Sequence, residues 1–181
     1  MVPQTRKAII QAFDALIATT PFENISVDDI TQAAGVSRAT FYRYFKDKYD
    51  VMNSNYADLL NRMLRLDECT SYRDLYFQLY HAGREELAEI KGAFRTSGVN
   101  SFEHYIYQYS KQIVEEITKA NRGGKGLTEQ ENLQLDVFCY GISYMYKNWV
   151  LGRYPLSADE AADALFGMMP ETLKHYWVTG A

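Results

Sequence analysis

Apolar side chains recur about every 3.6 residues along most of the chain, and the alternating pattern of strands is scarce. In the first such stretch Ile9, Phe13 and Ile17 share one helix face, and Pro21 follows as a stop signal. The pattern predicts an all-α fold with about nine helices.

Residues that begin and end helices are frequent in the first fifty positions. Ser26 and Asp29 have the spacing of a capping box, in which each side chain bonds the backbone amide of the other residue. Gly35 is suited to end the short helix that follows, because glycine readily adopts the left-handed conformation. Ser37 can cap a second short helix, and Asp47 can cap the next one. The sequence therefore predicts two short helices, joined by a tight turn, between two longer ones.

Longer amphipathic stretches fill the rest of the chain. They are predicted at about residues 48–66, 72–90, 92–97, 99–120, 128–153 and 157–177. A glycine-rich loop at 121–127 is the predicted mobile connection, and Pro170 is expected to kink or split the last helix. We divide the chain into a three-helix helix-turn-helix domain over 1–47 and a C-terminal helical bundle over 48–181.

Composition excludes several classes of protein. Apolar residues make up 47% and charged residues 23% of the chain, which is typical of a globular protein rather than a disordered one. No apolar run approaches the roughly 20 residues that span a bilayer, and Gln11 and Asp14 interrupt the N-terminal segment that a signal peptide would occupy. Cys69 and Cys139 lie far apart, which favours neither a disulfide nor a zinc site. We expect a cytoplasmic protein with no metal, no cofactor and no membrane partner.

The sequence carries no signature of catalysis. It has neither the GxSxG motif of a serine nucleophile nor the HExxH motif of a zinc hydrolase. The glycine-rich segment 123–126 lacks the spacing of a phosphate-binding loop, and no strand precedes it. We therefore do not expect an enzyme.

The charge is distributed unevenly along the chain. The net charge is −4, from 19 basic and 23 acidic residues, and taken globally it disfavours nucleic acid. Residues 38–48, however, hold four basic side chains and one acidic one, a local excess of +3. Phe41 and Phe45 can pack inward and leave tyrosine, threonine and arginine side chains facing out. Phenol and guanidinium donors suit the phosphates and base edges of DNA.

The stretch ITQAAGVSRATFYRYFKDK, residues 30–48, closely resembles the DNA-binding signature of the TetR/AcrR family of bacterial transcriptional regulators. The small residues before Gly35, the Val-Ser turn, the Thr-Phe-Tyr triplet and the Lys-Asp-Lys helix start carry the resemblance. It covers roughly the first 50 residues, and it implies a recognition helix that enters the major groove of DNA.

The resemblance also implies a role for each matching residue. Arg38 is expected to read a base, with Arg43 as a second candidate, while Lys48 holds a phosphate at the start of the next helix. Ser26 and Val27 are expected near a second phosphate. The predicted DNA-binding residues are Ser26, Val27, Ser37, Arg38, Ala39, Thr40, Tyr42, Arg43, Tyr44, Lys46 and Lys48.

Beyond residue 50 the resemblance implies only a helical regulatory domain, which dimerises through its last two long helices and often holds a small ligand. The last helices are indeed rich in large apolar side chains, and two from each protomer would form a four-helix interface. The predicted interface residues are Phe138, Ile142, Leu165, Met169, Leu173 and Trp177. An ordinary intramolecular core is the alternative.

Tyrosines at helical spacing are dense in the same region and could line a pocket for a flat or amphipathic molecule. Core packing is the competing interpretation of this stripe. Arg84, Arg95 and His104 are further candidates for polar contacts. The predicted ligand-binding residues are Tyr76, Tyr80, His81, Tyr105, Tyr109, Tyr140, Tyr144 and Trp149.

Together these features predict a homodimeric DNA-binding regulator, a repressor that responds to a small-molecule effector of unknown identity and binds a pseudo-palindromic operator in double-stranded DNA. The alternative is a coactivator or adaptor of the same architecture, whose N-terminal helices meet a protein partner rather than DNA.

Overall fold

The computed structural model of the chain describes residues 4–94 and 101–176. This part of the chain contains ten α-helices and no strand, which confirms the predicted all-α fold. The helices are α1 (Gln4–Ile17), α2 (Val27–Ala34), α3 (Arg38–Tyr42), α4 (Lys48–Met63), α5 (Tyr72–Glu85), α6 (Leu87–Ala93), α7 (Phe102–Asn121), α8 (Glu129–Val150), α9 (Ala158–Met168) and α10 (Glu171–Lys174).

The chain divides into two compact units, Met1–Leu60 and Asn61–Ala181. The boundary between them lies within α4. The functional division after residue 47 stays a prediction.

The first unit is built from short helices with well-defined ends. The Ser26 hydroxyl accepts the Asp29 amide at 3.2 Å, and Asp29 accepts the Ser26 amide at 2.8 Å, which is the predicted capping box. Gly35 ends α2 with φ +65°, in the left-handed region. The Ser37 hydroxyl then caps α3 by accepting the Thr40 amide at 3.1 Å. These ends fix the tight turn between α2 and α3.

The core of the first unit holds the side chains that set the orientation of α3. Phe41 and Phe45 are buried, as predicted, with their ring centroids 5.8 Å apart. Ile9, Phe13 and Ile30 from α1 and α2 are fully buried in the same unit. Because both phenylalanines face inward, the opposite face of α3 is exposed.

The second unit packs α5 against α9 and α7 against α8. Capping boxes begin two of these helices, with Thr128 and Glu131 at α8 and Ser157 and Glu160 at α9. Its core is unusually rich in tyrosine. Beside buried phenylalanines, its rings include Tyr72, Tyr76 and Tyr80 on α5 and Tyr146 and Trp149 on α8.

The prediction of one helix over 72–90 is wrong, because the chain turns at Glu86 and starts a new helix. Burial on α5 ends at Gly83, Leu87 four residues later is exposed, and burial resumes at Ile90. Glu86, at φ −98° and ψ 24°, departs from helical geometry and separates the two helices. The predicted helix over 92–97 lies mostly outside the described residues, so with this break and the one at Pro170 the described part of the chain has ten helices.

None of the described helices is both long enough and apolar enough to cross a lipid bilayer.

Candidate nucleic-acid interface

Four of the predicted DNA-binding residues lie on α3, and two more, Arg43 and Tyr44, directly follow it. Arg38, Ala39, Tyr42 and Arg43 are exposed, and Thr40 and Tyr44 are half-buried. Half of the Tyr42 side chain is open to solvent although its ring contacts the buried Phe41 edge-on. An exposed phenol beside a guanidinium group can donate to phosphate and base oxygens, so the face has the chemistry of a DNA contact.

Arg38 is already engaged by two side chains of its own unit. Its Nη1 donates to both carboxylate oxygens of Asp28 at 3.0 Å, and its Nη2 lies 3.5 Å from the Tyr42 hydroxyl. The hydrogen bond to Tyr42 and the charge of Asp28 raise the pKa of Arg38 above its ordinary value. Asp28 lies in the first turn of α2, ten residues before its partner, and sequence reasoning missed it because no local motif pairs the two residues.

Lys48 has a different environment from the one that the phosphate role suggests. Its ammonium donates to the backbone carbonyls of Phe22, Glu23 and Ile25 at 2.9, 3.2 and 2.8 Å. It also lies 4.6 Å from the centre of the Phe22 ring and 5.9 Å from that of Tyr49. An ammonium group has three N–H donors, so these carbonyls occupy all of them. Lys48 joins the start of α4 to the short turn before α2.

The remaining predicted residues lie on the same unit in varied settings. The Ser26 hydroxyl donates to Asp29 at 2.6 Å, so it is engaged in the helix cap, and Val27 is half-buried at the start of α2. Lys46 is exposed, and its backbone amide donates to the Asp50 carboxylate at 3.0 Å. The Arg43 guanidinium lies 5.7 Å from the centre of the Tyr44 ring. Lys46 and Arg43 are thus open for contact with DNA.

In the second unit the predicted ligand-binding residues do not form one site. Tyr76, Tyr80 and Trp149 are core residues, whereas Tyr140 and Tyr144 are more than half exposed on α8. The others lie elsewhere. His81 bonds Asp159 at 2.8 Å, and Tyr105 and Tyr109 are half-buried and stack on each other along α7.

One aromatic cluster in this core contains unpartnered polar groups. Tyr80 lies 5.5 Å from Tyr146 and 4.9 Å from Trp149, measured between ring centroids. The hydroxyls of Tyr80 and Tyr146 are buried and have no hydrogen-bond partner within the described residues. Burial raises the pKa of both phenols above their ordinary value. The Trp149 indole, in contrast, donates to the Leu156 carbonyl at 2.9 Å.

The predicted dimer-interface residues are mostly covered by their own chain. Phe138, Ile142, Leu165, Met169 and Leu173 are each at most 7% exposed, and Trp177 lies outside the described residues.

A second apolar stripe on α8 faces outward, and sequence reasoning missed it. It consists of Leu133, Val137, Tyr140 and Tyr144, which are 63%, 75%, 55% and 57% exposed. Their spacing of four, three and four residues is the signal that could have identified the stripe. Beside it an open groove of about 630 Å³ is lined by Leu133, Gln134, Val137, Phe138, Gly141, Met145, Leu165, Met168 and Pro170.

Within the described residues no group of three or more histidine, cysteine or acidic side chains is arranged to hold a metal ion.

Comparison with known proteins assigns the N-terminal part of the chain. Residues 9–54 match the family of bacterial regulatory proteins named after TetR. A dhaKLM operon transcriptional activator, DhaS of Lactococcus lactis, is 36% identical over 61 residues, which are 32% of this chain and 33% of that protein. The regulator EthR of Mycolicibacterium smegmatis is 44% identical over 55 residues, 30% of this chain and 25% of its own. The chain spans only about a quarter to a third of these curated relatives.

The likeness of folds extends over nearly the whole chain. A TetR transcriptional regulator from Streptococcus agalactiae superimposes with a TM-score of 0.62 at 16% identity, over 93% of this chain and 94% of that one. At this identity the comparison establishes a shared fold.

Proposed function

The chain belongs to the TetR family of bacterial regulatory proteins by its N-terminal domain, and from that premise we propose that it regulates transcription by binding a DNA operator with α3. One observation carries the proposal. The exposed face of α3 presents Arg38 and Tyr42, and exposed Arg43 directly follows it, while buried Phe41 and Phe45 anchor the helix and the turn after it. Such a helix, capped by Ser37 and preceded by a tight turn, can lie in the major groove. Proteins of this family are transcriptional regulators, not enzymes.

We propose that the chain acts as a homodimer on a pseudo-palindromic operator. The outward stripe of α8 and the adjoining groove supply an apolar surface of the kind that monomeric proteins rarely leave open. A two-fold contact would bring this stripe against its copy, with Phe138 and Leu165 among the residues that line the adjoining groove. Two recognition helices could then occupy successive major grooves, about 34–36 Å apart. Sedimentation of a Val137→Asp variant is expected to yield a monomer, whereas Lys119→Ala, on exposed α7 surface, should remain dimeric.

We propose repression as the outcome, because a dimer bound across an operator excludes other proteins from it. The protein would then work in the cytoplasm, where the operator lies. A small effector that favours one arrangement of the dimer would change the separation of the two reading helices and weaken binding. The cluster of Tyr80, Tyr146 and Trp149 is our candidate for its contact, since buried hydroxyls nearly always have a hydrogen-bond partner.

The competing proposal is an adaptor or coactivator of the same architecture, whose α3 contacts a protein rather than DNA. Regulators of this family are not all repressors by name, since the Lactococcus lactis relative is named as a transcriptional activator. Arg38 discriminates between the two. A base-reading arginine is tied to one base position, whereas a protein contact would be indifferent to DNA sequence.

The test is selection from random duplex DNA with purified protein, followed by binding of the enriched sequence at several salt concentrations. An inverted repeat with half-sites one turn apart is expected. Arg38→Ala should lose about 1–3 kcal/mol of operator binding and relax one base position. Lys119→Ala removes the same charge from exposed surface of α7 and should have no such effect. No enrichment by a verified dimer would favour the adaptor.

A further inference from the structure

The contact between Asp28 and Arg38 places a carboxylate on the surface that we assign to DNA. Both side chains are well exposed, 65% for Asp28 and 60% for Arg38. A phosphate backbone repels such a carboxylate, so its presence beside the recognition helix opposes binding to DNA in general. An exposed ion pair also contributes little to folding. The pair is therefore better explained by what it does to Arg38 than by stability.

The contacts of Arg38 with Asp28 and Tyr42 engage only some of the guanidinium nitrogens. Asp28 takes both of its hydrogen bonds from Nη1, and Tyr42 lies next to Nη2. Neither contact involves Nε. The edge of the guanidinium group formed by Nε and Nη2 can therefore still donate hydrogen bonds to a further acceptor. Guanine offers two acceptors side by side, O6 and N7, which suit such an edge. A phosphate could use the same edge, but it would be drawn there mainly by charge, and the carboxylate offsets that charge.

We propose that Asp28 is a specificity-determining residue. It orients the Arg38 guanidinium toward a guanine, and its negative charge weakens the attraction of Arg38 to phosphates. Asp28 is a positioning residue in this role, because it acts through Arg38 and touches no base itself. At the operator the bidentate contact of Arg38 with guanine offsets the repulsion between Asp28 and the phosphate backbone of the DNA. On other sequences no such contact forms, and the repulsion remains. Discrimination therefore arises partly from weakened binding to the wrong DNA.

The inference rests on the proposed DNA-binding function and deepens it, and the test uses the full chain. The wild type and Asp28→Asn are compared on the selected operator and on a scrambled duplex, each at several salt concentrations. We expect Asp28→Asn to bind the scrambled duplex about tenfold more tightly near 0.1 M salt, with a salt slope steeper by about 0.9, as for one added phosphate contact. Operator affinity should rise by much less, so the ratio of the two affinities falls.

Two controls separate this role from a mere change of charge. Asp58→Asn makes the same change of charge on α4, where Asp58 is only 3.8 Å from Arg6, and should leave the ratio unchanged. In an Arg38→Ala background, Asp28→Asn should no longer lower the ratio, because Asp28 acts through Arg38. Thermal unfolding of each variant verifies that the fold is kept.

The outcomes distinguish the two proposals. If the wild type selects no DNA sequence, the proposed function fails and the role of Asp28 fails with it. If the wild type selects an operator but Asp28→Asn leaves the ratio unchanged, or lowers it equally without Arg38, only the role of Asp28 is overturned.

Discussion

Each of the two units contains an arginine held by a carboxylate, and the two pairs differ in how they are made. In the second unit Arg122 bonds Glu131 through two nitrogens, at 2.9 and 2.5 Å, and only 21% and 11% of these side chains are exposed. In the first unit Arg38 bonds Asp28 through one nitrogen, and more than half of each side chain is exposed. The largely buried, bidentate pair of Arg122 and Glu131 stabilises the structure around it, whereas the exposed pair of Arg38 and Asp28 leaves guanidinium donors free for a binding partner.

The tyrosines of the two units show the same contrast. The hydroxyl of Tyr42 reaches Arg38 at the surface, whereas the hydroxyl of Tyr146 is buried against Gly83. Both residues are tyrosines on a helix, Tyr42 on α3 and Tyr146 on α8. The surroundings decide whether a tyrosine serves recognition or packing.

The largest effect is expected from the sheltered pair. Glu131→Gln should lower the free energy of unfolding of the second unit by about 2–3 kcal/mol, because it leaves the Arg122 charge without its partner. Both tryptophans of the chain lie within residues 61–181, so tryptophan fluorescence during urea unfolding follows this unit. Asp28→Asn is the matched variant in the first unit, where hydrogen exchange of amides in α2 and α3 should show a change in stability of less than about 0.5 kcal/mol. Equal losses in both variants would remove the contrast between the pairs.

The same variant carries a pH signature. Hydrogen bonds from Arg122, with a further one from the Thr128 amide, lower the pKa of Glu131 from its ordinary 4.5 to about 2. Because the pKa of Glu131 is lower in the folded state than in the unfolded state, its ionised form stabilises the fold. This contribution to stability is complete above about pH 4.5 and is lost as the pH falls toward 2. Glu131→Gln should flatten the fall of stability in this window. An unchanged slope would contradict the assignment.

The next largest effect separates two lysines of one motif. Lys48→Met should cost about 2 kcal/mol in the first unit, because three backbone carbonyls lose their donor. Lys46→Met removes the same charge from an exposed side chain and should leave stability unchanged while reducing the salt slope of DNA binding by about 0.9. Hydrogen exchange of amides around residues 22–25 measures the first effect, and binding titrations measure the second. If Lys46→Met destabilised the unit as much, the carbonyl contacts would not be the cause.

A smaller effect tests the packing around the buried hydroxyl. A Cβ at Gly83 would lie 2.6 Å from the Tyr146 hydroxyl oxygen, so Gly83→Ala should cost about 1–2 kcal/mol through overpacking. Gly167→Ala in α9 has open space around its Cβ and serves as the control. Urea unfolding followed by tryptophan fluorescence measures both. A Gly83→Ala variant as stable as its control would mean that the ring yields without strain.

The smallest effect is expected from Tyr146→Phe. It removes a buried hydroxyl that has no partner among the described residues, so stability should stay the same or rise by about 1 kcal/mol. It should also relieve most of the cost of Gly83→Ala, because the clashing oxygen is gone. A clear loss of stability would instead indicate that the hydroxyl has a partner, such as bound water. The double variant, unfolded in urea, decides between them.

The sequence predicted the fold where local chemistry fixes it. The capping boxes at Ser26 and Thr128 and the left-handed stop at Gly35 depend on residues within a few positions of one another. The turn at Glu86 carries no proline or glycine, so no local signal marked it. The contact of Asp28 with Arg38 bridges two helices and arises only from the fold.

The two apolar faces of α8 show the same limit for the candidate interface. Ile142 and Val137 belong to different stripes of one helix, and both stripes have the spacing of a packed face. Hydrophobicity alone cannot tell which stripe the chain itself covers. Here the covered one contains Ile142, and the open one contains Val137. The interface residues predicted from the sequence thus stay a prediction, and the open stripe, which contains none of them, is the surface of α8 that a second protomer can reach.

Gly35 sets a rule for natural and laboratory variation of this motif. Nothing lies within 4 Å of the position that its Cβ would occupy, so a larger side chain has room there. The limit is handedness, because φ is +65° and an ordinary L-residue pays about 1–2 kcal/mol to adopt it. In a library of variants at Gly35, asparagine should therefore outrank alanine in spite of its greater bulk. Which residues this turn tolerates depends on how readily each adopts the left-handed backbone conformation, and not on the size of the side chain.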